Sequence, residues 1–148
     1  GGGILPVSFV AGRKEVMEVL TPGSEGSTFG GYPLASVVGT YAIKVLVEEQ
    51  LANNANIQGE YLMTHLNSLM NDFPDKIKEV RGKGLLTAFE MHDDPKLDGH
   101  AVSVGLLNQG VYAKETHHTT VRLAPALTIN KNQIDSLVSA IRQVIKDL

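Results

Sequence analysis

Three groups of side chains in this sequence could do chemistry. Ser27 and Thr28 sit in a run at residues 21–33, Thr-Pro-Gly-Ser-Glu-Gly-Ser-Thr-Phe-Gly-Gly-Tyr-Pro, which holds four glycines and two prolines. Glycine tolerates positive φ and carries no side chain, so successive backbone N–H groups can turn toward one point, and the two hydroxyls add donors. Such a loop, placed ahead of a helix with the positive end of its dipole, suits an anion, most simply a phosphate. The same composition also makes an ordinary solvent-exposed turn. Spacing alone favours the turn, since neither a Walker A pattern nor G-x-G-x-x-G is present. Arg122 is the second candidate. Strand alternation sets Val121 and Leu123 on one face and Arg122 on the other, with Thr120 and Ala124. An arginine there is commonly a solvent-facing strand residue. The functional alternative is a carboxylate clamp, because the planar guanidinium makes two parallel N–H···O bonds that lysine cannot imitate. His117 and His118 come third and invite a metal reading. Neighbours on a strand point to opposite faces, so joint coordination is not expected; they read as loop histidines, and no metal site is expected. Glu90, Asp93 and Asp94 read as a solvated turn.

The elements that would position these groups follow from periodicity. Residues 5–11 read as a short buried strand and residues 14–20 as a short helix with Val16, Val19 and Leu20 inward. After the glycine-rich loop, Leu34, Val37, Val38, Tyr41, Ala42, Val45 and Leu46 follow the i, i+3, i+4, i+7 pattern of a helix whose stripe is core, with Pro33 suited to its first position. Ile57, Tyr61, Leu62, Leu66, Leu69 and Met70 continue in helical spacing, as one long bent helix with the first or as two. Residues 77–81 and 85–91 read as strands around Gly82 and Gly84, residues 92–96 as a polar turn, and residues 97–108 as a helix stopped at Gly110. Residues 111–115 and 120–124 read as strands. The last helix is the clearest: Ile134, Leu137, Val138, Ile141, Val144, Ile145 and Leu148 form one stripe, and Asn130 with Gln133 makes a capping box. The fold class expected is α/β.

Composition narrows the functions available. The 148 residues suffice for one ordinary domain, and 43% hydrophobic with 20% charged residues is a globular balance. A net charge of −3 without a basic cluster argues against nucleic acid as a partner. No apolar run approaches the roughly 20 residues of a membrane span, so no membrane partner is expected. Cysteine is absent, which fits a reducing compartment, and the glycine-rich opening lacks the basic start of a secretory signal, so a cytoplasmic location is expected. That opening reads as the interior of a loop, so the 148 residues are expected to be a C-terminal piece of a longer polypeptide.

Motifs in a consistent order then add a resemblance. Gly-Ser-Thr-Phe-Gly-Gly-x-Pro-Leu-Ala at residues 26–35 resembles the segment that class III, fold-type-I aminotransferases place beside pyridoxal 5'-phosphate. Glu-Val-Arg-Gly-Lys-Gly-Leu-Leu at residues 79–86, together with Glu-Thr-His and Val-Arg-Leu-Ala-Pro-Ala-Leu within residues 114–127, resembles the C-terminal domain of ornithine aminotransferases, as does the opening Gly-Gly-Gly-Ile-Leu-Pro-Val-Ser. Tyr32, Glu25 and Ala126 depart from the asparagine, histidine and proline usual at those places. The resemblance implies the end of a large cofactor-binding domain with its connecting helix (residues 1–55) and a small C-terminal α/β domain (residues 56–148). It implies a homodimer with a shared active site, in which Ser27 and Thr28 reach the cofactor phosphate of the other subunit. Arg122 would pair with the α-carboxylate of the amino or oxo acid, and Arg81 and Lys83 would be structural. The lysine that holds the cofactor as a Schiff base is expected upstream of Gly1, so no catalytic residue is assigned in this chain and none of its nine lysines takes that role. The reaction implied is transfer of the δ-amino group of ornithine to 2-oxoglutarate, in amino-acid metabolism. The alternatives are an acetylornithine or other ω-amino acid aminotransferase, or a non-catalytic binding or dimerisation module derived from one.

Overall fold

The computed structural model describes residues 1–94 and 97–148, and the chain divides into two compact units, residues 1–50 and residues 51–148. The domain boundary expected at residue 55 compares with a division here between Gln50 and Leu51.

The first unit holds a four-residue helix, α1 (Lys14–Met17), and a sixteen-residue helix, α2 (Pro33–Glu48). Pro33 opens α2, where its missing N–H removes no intrahelical bond. Residues 5–11 form no strand: no second strand exists in this unit to satisfy their backbone groups, and Phe9 and Val10 are exposed. Val16, Val19 and Leu20 do not point inward either, and the stripe expected to be core in α2 is unburied. No residue of the first unit is buried. After α2 the chain turns through Gln50, in the left-handed region at φ 51°, so the two helical stretches are separate helices.

The second unit has the order α3 (Leu51–Asp72), β1 (Ile77–Lys83), β2 (Leu86–Met91), α4 (Gly99–Asn108), β3 (Lys114–Thr116), β4 (Thr120–Leu123), α5 (Lys131–Asp147). The four strands form one antiparallel sheet in the order β1-β2-β4-β3. Alternation along the strands sends Phe89, Met91, Val121 and Leu123 to one face, where they join Leu62, Leu66 and Leu69 of α3, Val102 and Leu106 of α4 and the stripe of α5 in one core. The amphipathic stripe of α5 is buried from Ile134 to Ile145, and the capping box forms in both directions between Asn130 and Gln133. Burying that stripe, not helix propensity, is what holds α5 in place.

Two glycines allow α3 to lie on the β1–β2 hairpin. Gly84 turns the hairpin at φ 56°, and a Cβ on Gly59 of α3 would run into the Gly84 backbone. The Gly-Lys-Gly motif therefore serves a close helix–hairpin contact. The expected polar turn at residues 92–96 lies partly outside the described residues. Glu90 is not in a turn: it belongs to β2, half-buried and paired on both sides of the strand.

Candidate functional site

The loop around Ser27 and Thr28 is held by short-range contacts: Ser24 Oγ donates to the Thr21 carbonyl at 2.8 Å, and the Phe29 and Tyr32 rings meet edge to face. Gly30 N–H donates to the Ser27 carbonyl at 3.1 Å and Tyr32 N–H to the Phe29 carbonyl at 3.1 Å, while Gly31 takes φ 70°. Both hydroxyls are exposed and neither has a hydrogen-bond partner among the described residues. Two short, unengaged hydroxyls in a glycine-rich turn fit a phosphate, which needs neutral donors with little side-chain entropy to lose.

Arg122 lies in the second unit, on the sheet face turned away from the core. It stands opposite Ala88 of β2 and Lys114 of β3, and Arg81 of β1 continues the same row beyond Ala88. Thr120 shares that face as expected, but it is buried, and Arg81 Nη2 donates to its Oγ1 at 3.4 Å. Arg122 is exposed, and its guanidinium has neither an ion pair nor a hydrogen bond among the described residues. An unpaired guanidinium keeps its whole fork for an incoming carboxylate.

Arg81 is the opposite case. Its Nη1 lies 2.8 Å from Glu90 Oε2 and 3.1 Å from Glu79 Oε2, and the second oxygen of Glu90 accepts from Lys78 Nζ at 2.8 Å. The β1–β2 register slips between Ile77 and Glu79, and this bulge brings Lys78 within reach of Glu90. Hydrogen bonds from Lys78 and then Arg81 hold the Glu90 carboxyl below the usual carboxylate range. The same bonds to Glu90 raise Lys78 and Arg81 above their ordinary values. No short spacing marks this cluster, since Glu90 is nine residues from Arg81 and finds it only across the hairpin.

His117 and His118 are turn residues, in keeping with the loop reading. Both sit in the left-handed region, at φ 53° and 63°, in the β3–β4 connection, where that conformation matches the twist of the strands. The His118 carbonyl accepts from Gly99 N–H at 2.6 Å, docking the hairpin on the start of α4. With Asp98, His100, Glu115 and Thr116 they line a cavity of about 280 Å³. Its polar groups are largely engaged: Asp98 caps α4 through Ala101 N–H, and His100 Nδ1 lies 3.5 Å from Glu115 Oε1. Glu115 is held below the usual carboxylate range, chiefly by its own backbone N–H. Among the described residues no group of histidines and carboxylates is arranged to hold a metal ion.

Comparison with known proteins places these features in a family. The profile of the Aminotransferase class-III family matches residues 1–145. An ornithine aminotransferase of Staphylococcus carnosus is 44% identical over 144 residues, covering 97% of this chain and 35% of that protein. A mitochondrial ornithine aminotransferase of Arabidopsis thaliana is 41% identical over 148 residues, 99% of this chain and 31% of that protein. Among solved structures, an ornithine aminotransferase from Toxoplasma gondii matches with a TM-score of 0.89 and 36% identity, over 98% of this chain and 34% of that one. An acetylornithine aminotransferase from Elizabethkingia anophelis matches at 0.80 with 37% identity, over 90% of this chain and 35% of that one. The chain thus spans about a third of the length of the relatives it matches. Its α/β fold, with a small antiparallel sheet, is that of the corresponding part of those structures. This chain belongs to the class III aminotransferases.

Proposed function

We propose that this chain is part of a pyridoxal-phosphate-dependent ornithine aminotransferase, which moves the δ-amino group of ornithine to 2-oxoglutarate. The observation that carries the reading is the unpaired guanidinium of Arg122 on the open sheet face, in a chain 41–44% identical to proteins named ornithine aminotransferase. Arg122 binds the α-carboxylate and so orients the amino or oxo acid. Ser27 and Thr28 donate to the cofactor phosphate; a Toxoplasma gondii relative is described with that cofactor partially occupying its active site. When bound, pyridoxal phosphate supplies the electron sink that labilises the C–H bond on the carbon bearing the transferred amino group. No lysine of this chain is assigned to anchor it, so the part of the reaction assigned to these residues is binding and orientation.

The assembly proposed is a homodimer with a shared active site. Its support is α2, apolar on nearly every side and without a buried residue. No described helix is long and apolar enough to cross a membrane, and the cysteine-free composition supports a cytoplasmic location.

The test is glutamate formation from 2-oxoglutarate by the full-length enzyme, offered ornithine, acetylornithine or 4-aminobutyrate. A higher kcat/KM with ornithine than with the other two is expected. A preference for acetylornithine would move the assignment within the class, and no transfer with any donor would favour the binding or dimerisation module. Thr28→Ala should weaken pyridoxal phosphate binding in a dialysis titration without unfolding the enzyme; unchanged affinity would reject the phosphate role.

A further inference from the structure

The outer face of the sheet carries two guanidiniums in one cross-strand row, yet the reading above uses only Arg122. Arg81 and Arg122 are separated by Ala88 of β2. At ordinary strand spacing their Cα atoms lie about 10 Å apart. The methyl group of Ala88 builds no wall between two side chains of that length. Left alone, Arg81 would compete with Arg122 for a carboxylate or take the far end of a dicarboxylate.

What prevents this lies in the neighbouring row, where Glu79 stands opposite Glu90 and Glu90 opposite Thr120. Both Glu90 oxygens are engaged, one by Lys78 and one by Arg81, and its side chain is only 18% exposed. Glu79 and Thr120 complete the hold on Arg81. Lys78, Arg81, Glu79 and Glu90 together carry no net charge, whereas Arg122 and Lys114 face solvent and, among the described residues, only Glu115 pairs with Lys114, at 3.9 Å.

We propose that Glu90 is a positioning residue: by restraining Arg81 and Lys78 it leaves Arg122 as the single guanidinium of this face open to a substrate carboxylate. This rests on the carboxylate role of Arg122. The consequence is selectivity. With Arg81 held, the face anchors one carboxylate; with Arg81 released, it offers a second cation that rewards a dicarboxylate over a monocarboxylate of equal length.

The experiment measures inhibition of the full-length holoenzyme by glutarate and by valerate. Glu90→Gln is expected to tighten glutarate relative to valerate by about fivefold, the scale of a partly exposed ion pair. Adding Arg81→Gln to Glu90→Gln should return the ratio to that of the wild type. A wild-type ratio in Glu90→Gln, or a raised ratio that persists in the double variant, overturns the proposal. Should Glu90→Gln fail to fold, Glu90→Asp serves the same test, since one methylene fewer prevents it from reaching both cations; an unchanged ratio there also overturns it. Arg122→Lys separates the two levels. If it weakens both inhibitors while Glu90→Gln leaves their ratio alone, only the positioning role falls. If it changes neither inhibitor, the carboxylate role falls and the positioning role with it.

Discussion

Helices α2 and α5 are nearly equal in length, sixteen and seventeen residues, and sit in different units. α5 buries six side chains and α2 buries none. Their sequences differ in how the apolar residues are spread. In α5 they form one stripe with polar residues opposite, so a single packing surface suffices, and residues 51–148 supply it through α3 and α4. In α2 they run round the cylinder, with Ile43 and Val47 on the far side from Leu34 and Tyr41. A helix of that kind needs cover on several sides, and the first unit, with one short helix and irregular chain, has none to offer. One unit therefore stands on its own core, while the other keeps its apolar surface and its hydroxyl-bearing loop free for contacts.

Truncations break this comparison most sharply. Phe89→Ala, at a fully buried position, should cost about 3–5 kcal/mol in urea unfolding of this chain. Tyr41→Ala on α2 should stay within about 0.5 kcal/mol in the same experiment, as exposed positions do. Equal losses would mean that the first unit carries a core of its own. Next in size is Gly59→Ala, which overpacks the α3–hairpin contact and should cost about 1–3 kcal/mol, read from the same urea curves; no loss would show that the helix and Gly84 do not touch. The smallest effect is electrostatic. Because the folded-state pKa of Glu90 is lowered, its contribution to stability is fully present above the pKa of the unfolded chain and is lost as pH falls through the lowered value. Glu90→Gln should therefore lower the stability of the second unit at neutral pH and converge with the wild type at acid pH, flattening the acid side of the profile. A parallel displacement at every pH would contradict the pairing.

Periodicity revealed α3, α5 and the β1–β2 hairpin because each is organised by contacts its own unit provides, and the Asn130–Gln133 capping box is local enough to read directly. It found the helix at α2 but not its exposure, and it missed at residues 5–11, for one reason: an apolar pattern shows that burial is wanted, not what supplies it. His117 and His118 were legible as loop histidines, but their left-handed backbone was not, because two such residues in a row usually involve glycine or asparagine. The outward face of Arg122 was legible through strand alternation. Glu90 was not, since its partners on β1 are gathered by hairpin register and a bulge, which no short spacing records.

The central claim is that Arg122, unpaired on an otherwise neutralised sheet face, is the carboxylate anchor. The direct measurement is the KM for 2-oxoglutarate of the full-length enzyme carrying Arg122→Lys, with Arg81→Lys alongside. Losing the two-pronged contact should raise KM by about tenfold or more in Arg122→Lys, with a clearly smaller change in Arg81→Lys. An unaltered KM in Arg122→Lys, or an equal rise in both variants, would contradict the account.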